Sequence, residues 1–449
     1  MKKIITSLVF ITIFVLLSSC GLPHETSRYE AYKKSYTRSE IATIDQDTFK
    51  KLNNITFPSL ALEKNGVNGE YILAVRSFAN NVYQHLEKTD NFSFSPMGLY
   101  AVLSIMSMGC SNPEYNELID QLLCTNKATR NHNYASFYKN NYFARDTGTT
   151  QIYNGLFTTN QYELNNSFLS KLADYYCEAY ELDFNKDADV AKMLDWVNSR
   201  VQEQGFLKKA DLVINEETVM IIFNTLYFNN KWQHTFMTSS TYPDDFYLQN
   251  GNTVTAQYMR HSYRGDVYDY DKYISAYDYY YNGYKVQYLT PKDVNDSIYD
   301  LIKNVNFLIE DETKKLTPSD LNYQDNIIIN LSVPRFESEC MLDFKSVLTT
   351  LGLGVIFDRF SYAFNDAYTG LDSDTSIYLQ YIKQKNKVSF NEDGTIVKSV
   401  TYGSLGGATS AAPRVYDTID IKLDSSFIYV IYDADNIPLY IGHVDNPSK

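Results

Sequence analysis

The chain has 449 residues, 44% of them hydrophobic, and a formal net charge of −14. That size and apolar content suffice for one large domain or two ordinary ones. The acidic balance excludes the basic footprint that nucleic acid requires.

Lys2 and Lys3 precede an apolar run from Ile4 to Leu17, which is too short for a comfortable transmembrane helix and suits a secretion signal. The run ends in Leu17-Ser18-Ser19-Cys20-Gly21, which resembles a bacterial lipobox, where the cysteine is lipidated and becomes the first residue. Residues 1–19 then read as a lipoprotein signal peptide, with an ordinary signal cut near Ser19 as the plainer alternative. Dual acylation at Cys20 would anchor stably where a single chain binds only marginally. Gly21 leaves no inner-membrane retention aspartate, so the expected location is exported and lipid-anchored, at the bacterial cell surface or outer membrane. Residues 20–69 are polar and weakly periodic, with Pro23, Pro58 and Gly66 as breakers, and read as a tether.

Strong periodicity begins at Glu70, with Ile72, Val75, Phe78, Ala79, Val82 and Leu86 at helical spacing. The next helix starts sharply, with Ser95 as N-cap and Pro96 at the first helical position, where its missing N–H costs nothing. A further helix is predicted over 188–201. Val219 to Phe228 is a near-continuous apolar run that fits a strand covered on both faces. Within it, Asn224 needs partners for its amide if buried. The Tyr-dense stretch from Tyr268 to Tyr288 offers rings for stacking sugars or bases. The plainer reading, preferred here, is a pair of half-buried strands, because tyrosine favours sheets. Ile327 to Val333 reads as a strand stopped by Pro334, and Phe344 to Leu351 as a helical stripe ended by Gly352. Phe427 to Tyr432 and Ile437 to Val444 form a predicted hairpin around Asp433 to Asn436. Helices come mainly first and strands later, which points to α+β and away from a doubly wound fold.

The chemistry of catalysis is absent from the motifs. The six histidines form no His-Glu-x-x-His and no zinc-ligand cluster, and there is neither a Gly-x-Ser-x-Gly elbow nor a phosphate loop. No metal or cofactor is expected, and the balance favours a binding or inhibitory protein over an enzyme. Cys110, Cys124, Cys177 and Cys340 match no zinc spacing. Export would permit a Cys110–Cys124 disulfide, with buried free thiols as the alternative.

One segment stands apart. Asn391-Glu392-Asp393-Gly394-Thr395 opens a long stretch of small, polar and glycine residues that runs between two core-like strand regions. Counting from Thr395 with the period of a strand, one face carries Thr395, Val397, Ser399 and Thr401, all small or β-branched and uncharged. The other face carries Ile396, Lys398, Val400 and Tyr402.

Five ordered blocks resemble the serpin family over roughly residues 70–449: Asn91-Phe92-Ser93-Phe94-Ser95-Pro96; Asn224-Thr225-Leu226-Tyr227-Phe228 with Lys231-Trp232; Val333-Pro334-Arg335-Phe336 followed by Leu348-x-x-Leu351-Gly352; Asn391 to Thr395; and Leu439 to Val444 with Asn446-Pro447. The resemblance implies an α+β, serpin-like fold of mixed β-sheets and a helical bundle, with an exposed reactive-centre loop at about 392–420. It implies a single-use inhibitor of serine proteases, and secondarily of cysteine proteases. The target forms an acyl-enzyme on the loop, and the cut loop inserts into the central sheet and traps it. Glu392, Gly394, Thr395, Val397, Ser399 and Thr401 would form the hinge, and Ser95, Asn224, Trp232 and Gln384 the shutter and breach that govern opening of the sheet. Family spacing puts the reactive bond at Ala408-Thr409, which suits an elastase- or subtilisin-like target; Arg414 would suit a trypsin-like one, and Leu405 is a further candidate. Three departures stand out. The hinge lacks the usual glutamate and alanine run, Gly98 replaces a frequent serine, and Gln384 replaces a frequent histidine. The second functional reading is a non-inhibitory serpin-fold surface binding protein or adhesin. In either case the protein is expected to be a monomer, held at the membrane by its lipid anchor.

Overall fold

Five of the eight α-helices among the described residues open on an Asn or Ser whose side chain accepts a hydrogen bond from a first-turn N–H, which fixes where each begins. The computed structural model describes residues 49–57, 66–87, 91–110, 112–317, 327–396 and 417–448. Its helices are α1 (Gly69–His85), α2 (Pro96–Ser107), α3 (Pro113–Leu122), α4 (Lys127–Asn140), α5 (Asn166–Lys171), α6 (Asp187–Arg200), α7 (Ile298–Leu301) and α8 (Lys345–Leu348). Helix α2 is buried nearly all round, as its continuous apolar sequence requires.

The central sheet contains β1 (Lys50–Lys51), β6 (Cys177–Leu182), β4 (Gly148–Thr159), β7 (Met220–Lys231), β17 (Gly394–Ile396), β16 (Lys383–Asn391) and β14 (Phe336–Asp343), in that spatial order, with β3 (Phe143–Arg145) paired to the start of β4. A second sheet runs β10 (Val267–Tyr270), β11 (Tyr273–Tyr279), β12 (Lys285–Pro291), β19 (Phe427–Tyr432), β20 (Pro438–Val444) and β2 (Phe92–Phe94). A third runs β18 (Thr418–Lys422), β13 (Ile327–Pro334), β9 (Thr253–Gly265) and β8 (Tyr242–Tyr247), and β15 (Tyr368–Thr369) pairs with β5 (Glu163–Leu164). Strand β18 runs parallel to β13, while β17 is antiparallel to both its neighbours.

Three expectations change. First, part of the segment read as tether is docked: β1 pairs antiparallel with β6, Phe49 packs on Phe157 and Tyr180, and Asn53 bridges Cys177 O and Ala179 N. Two strand residues carry no readable period, so their polar sequence hid them. Second, β7 is not covered on both faces. Met220, Ile222, Asn224 and Leu226 are only half-buried. Third, the Tyr-dense stretch makes three strands and is largely buried, with Tyr277, Tyr280, Tyr284 and Tyr288 all in the core. All four described cysteines are free thiols, so Cys110 and Cys124 do not pair.

The predicted C-terminal hairpin is present, and its turn is fastened by a buried carboxylate. Asp433 accepts hydrogen bonds from Asn141 Nδ2 (2.8 Å), Ile437 N (2.8 Å) and Asp435 N (2.9 Å). Burial pushes its carboxyl up to about 6, with the Asn141 bond opposing that rise. The folded state therefore binds this proton more tightly than the unfolded chain. Its contribution to stability is complete below about pH 4 and is lost as pH rises through about 6. Asp433→Asn is expected to abolish this fall, on the order of 3 kcal/mol, in urea unfolding compared at about pH 4 and pH 7.

Candidate functional site at the opening of the central sheet

Among the described residues, strands β7 and β16 are joined only through β17. Gly394 and Thr395 pair with Lys231 and Asn230 on one side, and Gly394, Thr395 and Ile396 pair with Asn391, Phe390 and Ser389 on the other. Below that point, among the described residues, the facing edges of β7 and β16 carry no ladder partner. A cavity of about 260 Å³ lies there, lined among others by Ile222, Asn224, Leu226, Gln384, Asn386 and Phe206.

The upper end of this opening is built around Trp232. Its indole N–H donates to Asn391 O (2.8 Å), its backbone N–H to Asp393 O (3.1 Å), and its ring stacks on Tyr280 at 4.4 Å. Phe236 N donates to Glu392 O (3.2 Å), and Arg335 lies 3.6 Å from the Glu392 carboxylate. The Glu392–Asp393 turn is thus held by backbone at two points and by charge at one. Gly394 is required by close approach: a Cβ there would lie 2.2 Å from Asn230 O. Thr395 points inward, 3% exposed, and its hydroxyl shares a 2.5 Å hydrogen bond with Tyr280 OH. Burial pushes the Tyr280 phenol well up, so this contact is between neutral groups.

Further down, Ser95 and Gln384 meet directly. Gln384 Oε1 accepts from Ser95 N (2.6 Å), and Gln384 Nε2 donates to Ser95 O (3.0 Å). Asn386 Nδ2 donates to the same Gln384 oxygen (3.0 Å). Asn224, expected in a latch with them, instead donates to Asn154 Oδ1 (2.8 Å), and Asn154 is held by Tyr134 OH and Tyr175 O. The amides still converge on Gly98, where a Cβ would lie 2.7 Å from Asn224 Oδ1, 3.1 Å from Gln384 Nε2 and 3.2 Å from Ser95 Oγ. The absence of a side chain at this position is what lets the three polar groups crowd together.

On the outer face, two lysines of β16 reach across. Lys385 sits 3.3 Å from Asp211 and 3.2 Å from Glu339; Lys387 sits 3.1 Å from Glu203 and 3.3 Å from Glu337. Burial alone would lower the Lys387 ammonium, but the two glutamates hold it above its ordinary range. Glu203 and Asp211 belong to the connection from α6 to β7, so these pairs tie that connection to β16 and β14. The sequence reading did not single out Tyr280, Asn154, Asn386, Lys385 or Lys387. The alternation of Lys385 and Lys387 against Glu337 and Glu339, on adjacent antiparallel strands, was the one usable signal. Cys20, Val397, Ser399, Thr401, Leu405, Ala408, Thr409 and Arg414 lie outside the described residues.

The family profile described as Serpin (serine protease inhibitor) matches residues 73–447. The chain is 24% identical over 401 residues to Serpin B13 of Homo sapiens, covering 82% of this chain and 97% of that protein. It is 23% identical over 385 residues to an alpha-1-antitrypsin-like protein, GS55-MS, of Ictidomys tridecemlineatus, covering 83% and 87%. Among solved structures it is similar to the thermophilic serpin tengpin in the native state, with a TM-score of 0.71 at 20% identity, covering 86% of this chain and 96% of that one.

Proposed function

The chain belongs to the serpin family, whose profile describes serine protease inhibitors and not enzymes, and from that membership we propose that it is a single-use inhibitor that traps serine proteases by inserting its cut reactive loop between β7 and β16. The observation that carries this reading is the inward seating of Thr395 between those strands, with Gly394 packed against the β7 backbone.

The register supports it further. Continued residue for residue from Gly394 opposite Lys231, an entering strand brings Leu405 opposite Met220, the lower end of β7. Val397, Ser399 and Thr401 would follow Thr395 onto the inner face, with no charge to bury. Lys398 would fall opposite Lys387, where Glu203 and Glu337 are already in place to balance a second cation.

The same register favours Ala408-Thr409 as the reactive bond. An ester at Ala408 lies three residues past Leu405, a tether of about 10 Å, so full insertion pulls hard on the captured protease. An ester at Arg414 would leave about 30 Å of slack and would transmit little force. The small Gly406, Gly407 and Ala408 suit a protease with a narrow specificity pocket, elastase- or subtilisin-like. Export and lipid anchoring through Cys20 at a bacterial surface complete the proposal, and would place the inhibitor where foreign proteases arrive.

Incubation with a panel of elastase-, subtilisin- and trypsin-like proteases tests it, read by SDS gel and by mass spectrometry of the released C-terminal peptide. An SDS-stable complex with release of a peptide beginning at Thr409 is expected. Cleavage by every protease without a covalent complex would instead assign the chain to the non-inhibitory binders.

A further inference from the structure

The segment between β7 and β8 holds the hinge through Trp232 N on Asp393 O and Phe236 N on Glu392 O. Its other side rests on a histidine–aspartate pair that loop insertion does not use. His261, on β9, stacks its ring on Phe236 with centroids 3.9 Å apart. Its Nδ1 lies 2.9 Å from His234 O, in the same segment, and its Nε2 lies 3.0 Å from Asp278 Oδ2. Asp278, on β11, is fully buried, and its other oxygen accepts from Tyr279 N (2.7 Å).

Both imidazole nitrogens therefore face acceptors. A carbonyl oxygen cannot donate, so Nδ1 must carry a hydrogen to bond it. A neutral imidazole has only that one N–H. The Nε2–Asp278 contact is an ion pair by distance, without hydrogen-bond alignment, so it is attractive only while a second proton sits on the ring or on the carboxyl. Without it, a ring lone pair and a carboxylate oxygen confront each other at 3.0 Å in a buried setting, which is repulsive.

We propose that the His261–Asp278 pair is a proton-operated lock on the hinge. While that proton is bound, the pair fixes Phe236 and His234, and through them the two backbone clamps on Glu392 and Asp393. When it leaves, the contact opens, the ring and Phe236 shift together, and the upper end of the β7–β16 opening loosens. The other titratable groups around the pair are Tyr263, whose ring lies 4.8 Å from His261, the phenols of Tyr279, Tyr280 and Tyr288 near Asp278, His234 itself, stacked on Tyr263, and Glu392 beyond Phe236. Burial pushes all four phenols up, which keeps them neutral while imidazoles titrate. The regulatory meaning rests on the insertion reading above, but the lock itself does not.

Trp232, one of two tryptophans, reports on it directly. In intact protein carrying Trp196→Phe, emission is followed across the pH range over which the fold is retained. A single sigmoidal change is expected. Asp278→Asn should stay in the low-pH state throughout, because the new amide donates to a neutral Nε2. His261→Gln should also be flat, and His234→Gln should keep the transition. Insertion after loop cleavage should quicken about threefold or more across the same transition, and this should vanish in Asp278→Asn. No transition, or one that survives His261→Gln, overturns the lock. A transition with no change in insertion rate removes its role in regulation. A protein that forms no covalent complex still yields the fluorescence result, so failure of the inhibitor reading is separately visible.

Discussion

Thr395→Arg is expected to turn the inhibitor into a substrate. The wild-type side chain occupies a buried site against Tyr280, beside Gly394, where even a Cβ would lie 2.2 Å from Asn230 O. A guanidinium finds no carboxylate in that buried site, so it is expected to draw β17 out of the slot in the intact protein, and insertion must then carry it back in. Burial of an unpaired charge costs several kcal/mol, and each 1.4 kcal/mol added to the insertion barrier slows insertion about tenfold. Deacylation then wins the race. The measurement is the stoichiometry of inhibition against whichever protease forms the wild-type complex. It should rise by about tenfold or more, with near-quantitative cleavage of the loop and retention of the fold by circular dichroism. Efficient SDS-stable complex formation by Thr395→Arg would sink the insertion account. Thr395→Ser, which keeps the hydroxyl near Tyr280, should behave almost as wild type.

The second large effect is on stability. Cutting the loop should raise the melting temperature, by roughly 12 °C. The unpaired edges of β7 and β16 offer about a dozen backbone hydrogen bonds to an entering strand, each worth roughly 0.5–1.5 kcal/mol net. A gain of about 10 kcal/mol in a domain of this size corresponds to a shift of that order. Differential scanning calorimetry of intact and cut protein decides it. An unchanged melting temperature after complete cleavage would mean that the loop does not enter, and would move the chain to the non-inhibitory reading.

The turn at Gly394 was readable because its constraints are local. Gly394 is needed where a neighbouring carbonyl leaves no room for a Cβ, and Thr395 beside it turns inward. The helix starts were equally local, since a cap acts within its own first turn. The partners of the site were not readable. Tyr280 meets Thr395 from 115 positions away, and Trp232 meets Asn391 from 159. Asn224 shows the same limit: its need for partners is evident from its apolar strand, but its choice of Asn154 over Gln384 depends on how β4 lies beside β7. The docked strand at Lys50 escaped because two residues cannot display a repeat. Its fixing contacts, Phe49 on Tyr180 and Asn53 on Cys177, are made to a strand distant in sequence.

Two strands that face each other across a slot are sheet edges placed in the middle of a sheet. A sheet edge does not distinguish whose backbone completes it. Filling by the molecule's own loop is a first-order event, independent of concentration. Filling by a strand from a neighbour is second-order, and rises with crowding. Confinement to two dimensions, as a lipid at Cys20 would impose, raises local concentration without any change in total amount. On the proposed mechanism the short β17 has a second duty beyond starting insertion. By occupying the top of the slot with three residues of its own chain, it gives the intramolecular route a head start over every intermolecular one.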